Sequence, residues 1–305
     1  MEKMKVVILG GGESGVGAAI LAKTKGLEVF LSDKGEIKEN YKKVLVENGI
    51  EFEEKNHDEE RILAADWVIK SPGVPKKAEM VQKIKAKGIR LSSEIEFGAE
   101  FTNAKIIAIT GSNGKTTTTS LIYHILKNDN LNVGLGGNIG KSFAMQVAQE
   151  NFDYYVLEVS SFQLDDIQNF RPYISLLLNL SPDHLDQYNY NYEEYAFAKF
   201  RIAENQENDN YFIYNKDDEM SQKLLQELDL RVKQIPFSMK EKLEEGGYTE
   251  EEKIVVKLHD EFSMKIEDLS LMGTHNVANS LAASIAGKLL NISNESIRNS
   301  LMTFQ

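Results

Sequence analysis

Cysteine is absent from the 305 residues, and proline is scarce at five. Without cysteine there are no disulfides, no thiolate metal sites and no cysteine nucleophile, so any metal must be held by oxygen or imidazole ligands. Few prolines, with 42% hydrophobic and 27% charged residues, exclude disordered, collagen-like and low-complexity classes and leave an ordinary globular chain. Long apolar runs are missing too. Runs such as 174–178 fall far short of the ~20 residues of a spanning helix, and the short Val-Val-Ile-Leu run before Gly10 cannot form the apolar core of a signal peptide. A cytoplasmic protein with no membrane partner is expected. Positive charge is in deficit, 35 Lys and Arg against 47 Asp and Glu for a net −12. No basic stripe is present, so nucleic acid is not an expected partner. Anionic nucleotides would have to be held by backbone N–H groups, local lysines or a bridging cation.

What is present is alternation. Apolar runs at 5–9, 28–31, 50–52 and 67–69, with a weaker one at 88–91, are separated by helix-like stretches at 15–25, 36–48 and 77–86. That pattern predicts βαβ units on a parallel sheet. A second series begins at 106–110 and continues with strand-like runs at 154–158, 174–179 and 211–214. The fold class predicted is α/β, an N-terminal Rossmann-like parallel-sheet domain over 1–92 followed by a P-loop ATPase α/β domain over 93–305. The charged stretch 240–253, with Gly246-Gly247, reads as a solvated hairpin or loop, followed by a β-like run at 254–258. Helices are expected at 276–290 and 294–302. The chain stops without a polar tail, as if at a domain edge.

Two glycine loops carry the chemistry. Gly10-Gly11-Gly12-Glu13-Ser14-Gly15 matches G-x-G-x-x-G after a strand and at the mouth of a helix, and Asp33 ends the next strand. Such a loop lets backbone approach a pyrophosphate at a helix N-terminus, with the acid positioned for a ribose or base. It serves NAD, FAD or a UDP-sugar equally well. The second loop, Thr110-Gly111-Ser112-Asn113-Gly114-Lys115-Thr116-Thr117, is a compact P-loop, because Ile109 stands where the generic motif has its first glycine. Its amides wrap phosphates, Lys115 supplies a charge for the β/γ oxygens, and the Thr116 hydroxyl can hold Mg²⁺. Glu158 and the pair Asp183-His184 follow later strands. If those strands are parallel to the one feeding the P-loop, all three tips share the carboxyl edge, where a carboxylate and an imidazole suit divalent cations bridging phosphates. His124 reads as structural. Lys199, in a helical setting of aromatics and alanines, reads from its residues alone as a solvated surface lysine.

Taken together these stretches resemble the Mur ligase family over essentially the whole chain. The resemblance rests on Gly10–Gly15, Ser71-Pro72-Gly73-Val74-Pro75, the T-G-S-N-G-K-T-T loop, Gly137-Asn138-Ile139-Gly140, the E-V-S-S-F-Q-L stretch from Glu158, the N-L-S-P-D-H-L-D stretch from Asn179, and G-T-H-N-V-A-N from Gly273. The two strand-end stretches are the most specific to the D-glutamate-adding member. Folylpolyglutamate synthetases share the ATPase core, but about 105 residues precede the loop here, which favours a Mur ligase. The resemblance implies an ADP-forming acid–amino-acid ligase of peptidoglycan precursor synthesis. ATP would phosphorylate the carboxylate of UDP-N-acetylmuramoyl-L-alanine, and the amine of D-glutamate would attack the acyl phosphate. Carried over by motif, Gly111, Ser112, Asn113, Gly114, Lys115, Thr116 and Thr117 would hold ATP phosphates, and Asn276 and Asn279 the adenine side. Lys115, Glu158, His184 and Lys199 would be catalytic, with Thr116, Glu158, His184 and a carbamylated Lys199 as Mg²⁺ ligands. Ser14, Gly15, Asp33, Lys34, Ser71 and Gly73 would surround the UDP, with Asn138 and Ser160 nearer the muramoyl-alanine end. Glu13-Ser14 and Asp33-Lys34 depart from the Leu-Thr and Asp-Thr of well-known members.

The family has a third, amino-acid-binding domain that this sequence is expected to lack, so weak or no ligation is expected of the 305 residues, and a monomer. Other Mur ligases, adding L-alanine or a tripeptide, match the E-V-S-S-F-Q-L stretch less well. An NAD(P)-dependent oxidoreductase explains the first loop and Asp33 but neither the second loop nor Glu158 and His184. A non-catalytic nucleotide-regulated binding module would differ from an enzyme by forming no acyl phosphate.

Overall fold

A computed structural model describes residues 3–305. The chain divides into two compact units, one running to Asn103 and taking back residues 140–151 and 162–170, the other formed by the rest.

The first unit is built on five parallel strands, β1 (Lys5–Leu9), β2 (Glu28–Asp33), β3 (Glu51–Glu54), β4 (Trp67–Lys70) and β5 (Arg90–Ser93), in the order β3-β2-β1-β4-β5. β1 pairs with both β2 and β4, Val6 standing opposite Val29 on one side and Trp67 on the other. Strand order therefore reverses between β1 and β4, and the loops leaving these two strands meet at the carboxyl edge, where open sheets of this kind bind ligands. The helix Glu13–Thr24 is buried from Gly15 to Ala22 because its residues there are small or aliphatic. Full burial of each large aliphatic in such a core stabilises by ~1.5–3 kcal/mol.

The second unit holds nine strands, β6 (Lys105–Thr110), β7 (Val133–Gly137), β8 (Tyr154–Glu158), β9 (Ile174–Leu177), β10 (Tyr211–Asn215), β11 (Lys233–Ser238), β12 (Gly246–Glu250), β13 (Lys253–Lys257) and β14 (Glu261–Lys265). Their order is β14-β13-β12-β11-β10-β9-β6-β8-β7, parallel from β7 to β12, with β13 and β14 antiparallel at one edge. β6 lies between β8 and β9, so the P-loop is flanked by the tips of both, as the sequence argument required. The helix Lys115–Asn128 and the helix Thr274–Leu289 press Leu121, Ile122, Ile125, Leu281 and Ile285 into the same core as Ile107, Ile109, Val156 and Leu176.

The stretch 240–253 does enter a hairpin, between β12 and β13, but it is not solvated throughout. Residues 246–250 form β12 within the sheet, Tyr248 is 2% exposed, and Gly247 lies against Leu281 and Ile285. The exposed charge lies on Lys240, Glu241, Lys242, Glu244 and Glu245 before β12 and in the turn after it, where Glu251 and Glu252 both take positive φ, 47° and 59°, between β12 and β13, the backbone that a two-residue hairpin turn demands. Among the described residues no helix is long and apolar enough to cross a membrane.

Candidate active site

In the first unit the Gly10–Gly15 loop is set by β1 and by the turn after β4. Ser71 donates its hydroxyl to the Gly10 carbonyl at 3.3 Å. Gly15 packs so closely that a Cβ there would stand 1.8 Å from the same oxygen, so no other residue fits. Asp33 accepts from the Gly11 N–H at 2.5 Å and from the Gly35 N–H at 2.7 Å, locking the glycine loop to the end of β2. Ser14 is half-buried at the first turn of the helix, Lys34 is exposed beyond β2, and Gly73 is exposed in the turn after β4. That turn is fastened by Lys70, 3% exposed, whose ammonium donates to the Val74 carbonyl at 3.0 Å and lies 3.1 Å from the Asp166 carboxylate. Lys70 was not marked by sequence reasoning. Its one signal is a lysine ending the apolar run Trp67-Val68-Ile69.

In the second unit the P-loop is held from beneath by the segment after β9. Asn179 accepts from the Asn113 N–H at 2.8 Å and donates to the Asn113 carbonyl at 2.9 Å, while its own carbonyl accepts from the Ser112 N–H at 2.9 Å. The Ser112 hydroxyl donates to the Ser181 carbonyl at 3.0 Å. Gly114 caps the helix Lys115–Asn128 with φ +82°, and a Cβ there would come within 2.5 Å of the Asn279 side chain. Asn279, 6% exposed, thus abuts the loop, and it donates to Asn276 at 3.3 Å. Thr117 is half-buried within the first turn of the helix.

Two lysines meet at one carbonyl. Lys115 donates to Gly111 O at 2.9 Å and Ser112 O at 3.0 Å, and Lys199 donates to Gly111 O at 2.9 Å. Lys199 is 2% exposed, so the surface reading of this residue is wrong: the helix Tyr192–Phe200 turns it inward, beside the Tyr195 ring. Burial, and next the Lys115 charge, lower its pKa to about 7 against the pull of Asp183 and Glu158. Burial also holds Lys115 below the usual lysine value, opposed by Glu158 and Asp183.

Glu158, 2% exposed at the tip of β8, accepts from the Thr116 hydroxyl and from the Asn138 amide, each at 2.7 Å. Asn138 is brought there by the β7–β8 pairing, its N–H donating to the Glu158 carbonyl at 2.8 Å. Ser160 follows two residues on, half-buried. His184 stands on the turn after β9 with φ 48°, more than half exposed, its ring 3.5 Å from Asp183. Asp183 is the group of that pair whose charge reaches Lys115 and Lys199. Among the described residues no three His, Asp or Glu side chains gather into a metal cluster. The donors that do converge, the Thr116 hydroxyl and a buried carboxylate, are hard oxygens, and they fit Mg²⁺, which takes few protein ligands and shares phosphate oxygens.

A largely parallel sheet in which an interior strand ends in a glycine loop with Lys-Thr at a helix N-terminus, facing a strand-end carboxylate, defines a P-loop nucleotide-binding protein. Residues 109–287 match the model of the Mur ligase middle domain, and residues 5–80 that of the MurD N-terminal domain. The chain is 52% identical over 302 residues to UDP-N-acetylmuramoylalanine--D-glutamate ligase of Christiangramia forsetii, spanning 99% of this chain and 68% of that one. It is 50% identical to the enzyme of the same name from Bacteroides fragilis strain ATCC 25285, with the same coverage. Among solved structures, UDP-N-acetylmuramate:L-alanyl-gamma-D-glutamyl-meso-diaminopimelate ligase from Neisseria meningitides superposes with TM-score 0.68 at 20% identity, covering 100% of this chain and 99% of that one. MurC from Thermotoga maritima does so at 0.59 and 21%, covering 99% and 68%. The chain belongs to the Mur ligase family of ATP-dependent ligases.

Proposed function

We propose that this protein joins D-glutamate to UDP-N-acetylmuramoyl-L-alanine at the expense of ATP, with residues 1–92 as the UDP-binding domain and 93–305 as the ATP-binding domain. The observation that carries the reading is the convergence of Lys115, Lys199, Thr116 and Glu158 around the P-loop. In the reaction the γ-phosphoryl group passes to the alanine carboxylate with release of ADP. The amine of D-glutamate then attacks the acyl carbon, expels phosphate and loses a proton. Phosphoryl transfer of this kind depends on positioning and charge neutralisation. Lys115 and the amides of residues 111–117 orient the phosphates, and Asn276 and Asn279 line the adenine side. Thr116 and Glu158, with His184 and Lys199, would hold Mg²⁺, which when bound supplies charge neutralisation at the transferred group. Lys199 fits this role through its burial. With a pKa of about 7, a large share of the amine is neutral near pH 7 and able to add CO₂, the nitrogen attacking carbon and losing a proton. The carbamate so formed replaces a buried cation by an oxygen ligand. In the first unit Ser14, Gly15, Asp33, Lys34, Ser71 and Gly73 would receive the uridine diphosphate; Asn138 and Ser160, which belong to the second unit, are assigned to the muramoyl-alanine end.

The test is hydroxylamine trapping with ATP, Mg²⁺ and UDP-N-acetylmuramoyl-L-alanine. The reading predicts a hydroxamate of the UDP-substrate together with ADP. ADP released at the same rate without the UDP-substrate, and no hydroxamate, would contradict it.

A further inference from the structure

At the carboxyl edge of the first unit, beyond β2 and β3, lies a cavity of about 300 Å³ lined by Lys34, Lys55, Asn56, His57, Ala78 and Met80 among others. His57 was not singled out by the sequence, and the chemistry of its ring is settled by its neighbours. Ser32, fully buried on β2, donates its only hydroxyl proton to Glu53 at 2.7 Å. The 2.6 Å contact between Ser32 Oγ and His57 Nδ1 must then have the ring nitrogen as donor, because a serine hydroxyl has one proton to give. Nδ1 therefore carries the proton and Nε2 is a bare acceptor in the neutral ring, with no hydrogen-bond partner among the described residues. Burial lowers the His57 pKa against Glu53 and Asp33, with Lys34 acting in the same direction as burial, which keeps the ring neutral. Of the other lysines around the cavity, all but Lys34 are tied. Lys55 pairs with Glu36, Lys83 pairs with Glu59 and Glu79, and Lys34 is left without an ion pair among the described residues. The cavity thus offers one fixed acceptor, one available cationic donor and an apolar wall of Ala78 and Met80.

Resting on the uridine-nucleotide reading above, we propose that His57 is a specificity-determining residue that reads the uracil base, its Nε2 accepting the N3–H while Lys34 donates to a flanking carbonyl. Cytosine presents an acceptor at N3, which would face Nε2 acceptor to acceptor, so the site discriminates against it.

The experiment is calorimetric titration of the full chain with UDP, CDP and N3-methyl-UDP at pH 7.5, repeated for His57→Phe and His57→Gln. UDP is expected to bind the unaltered chain at least tenfold more tightly than CDP or N3-methyl-UDP. His57→Phe should weaken UDP about tenfold and leave CDP unchanged, and His57→Gln, which keeps an acceptor, should restore part of the preference. A UDP-to-CDP ratio unchanged in His57→Phe, or equal affinity of the unaltered chain for UDP and N3-methyl-UDP, would overturn the assignment. The N3-methyl comparison needs no variant and stands if His57→Phe does not fold. Failure of the unaltered chain to bind UDP at all would instead sink the uridine-nucleotide reading on which the proposal rests.

Discussion

Lys199→Met isolates the energetic consequence of burying an amine beside a second lysine. The fall of the Lys199 pKa from 10.5 to about 7, at ~1.4 kcal/mol per pH unit, makes the protonated folded form about 5 kcal/mol less favourable than it would be with an ordinary lysine. The folded value lies below the unfolded one, so the unfolded chain binds more protons between pH 7 and 10.5. Stability of the second unit should therefore fall as pH drops from 10.5 to 7 and level off below. At pH 7 the penalty is about 4 kcal/mol. Met fills the same space without charge but removes a hydrogen bond to the Gly111 carbonyl, worth about 1 kcal/mol net, and the site relaxes, so a net gain of about 2 kcal/mol is expected. The assay is urea unfolding in CO₂-depleted buffer followed by far-UV circular dichroism, because the single tryptophan, Trp67, lies in the first unit and does not report on the second. The gain should shrink towards zero by about pH 10. A variant less stable than the parent at pH 7, or a difference that does not change between pH 7 and 10, would refute the reasoning.

In the first unit Glu94 shows the opposite sign. It is 1% exposed, accepts from the Ser142 hydroxyl and the Ala144 N–H, and burial raises its pKa to about 7. Stability should fall as pH rises from 4.5 through 7, and Glu94→Gln should gain about 2 kcal/mol at pH 8 and little at pH 4.5, read by Trp67 fluorescence in urea. Gly15→Ala should cost several kcal/mol in the same assay, because its Cβ would fall 1.8 Å from the Gly10 carbonyl oxygen. Lys70→Met should cost about 3 kcal/mol by leaving the buried Asp166 with only the longer 3.7 Å pair to the partly exposed Lys85, and Lys70→Met with Asp166→Leu should recover most of it. Lys115→Ala should remove ATP binding in a calorimetric titration while UDP-substrate binding persists, since Lys115 and the Gly10–Gly15 loop belong to different units.

The strands that feed the site were legible because they are short runs of β-branched and aliphatic residues bounded by glycine or polar turns: β1, β2, β4, β6, β8 and β9 all fall where the apolar runs do. β7 was not, because Val133-Gly134-Leu135-Gly136-Gly137 lacks the side chains by which a strand is recognised. β12 was hidden likewise by Gly246-Gly247 within a charged stretch. Both P-loop glycines and Glu158 could be placed from order along the chain, since parallel strands bring their carboxyl ends to one edge. Lys199 could be placed only through the family resemblance, and His57 not at all. Lys199 reaches a carbonyl 88 residues away, and the His57 tautomer depends on a serine and a glutamate of two other segments. Such tertiary polar contacts leave no periodicity in the sequence.

The uridine-nucleotide assignment of the first glycine loop is tested most directly by isothermal titration of the chain with UDP-N-acetylmuramoyl-L-alanine, with NADH as the control ligand. Saturable binding of one equivalent of the UDP-sugar and no heat from NADH is the predicted result. Binding of NADH with none of the UDP-sugar would contradict the account.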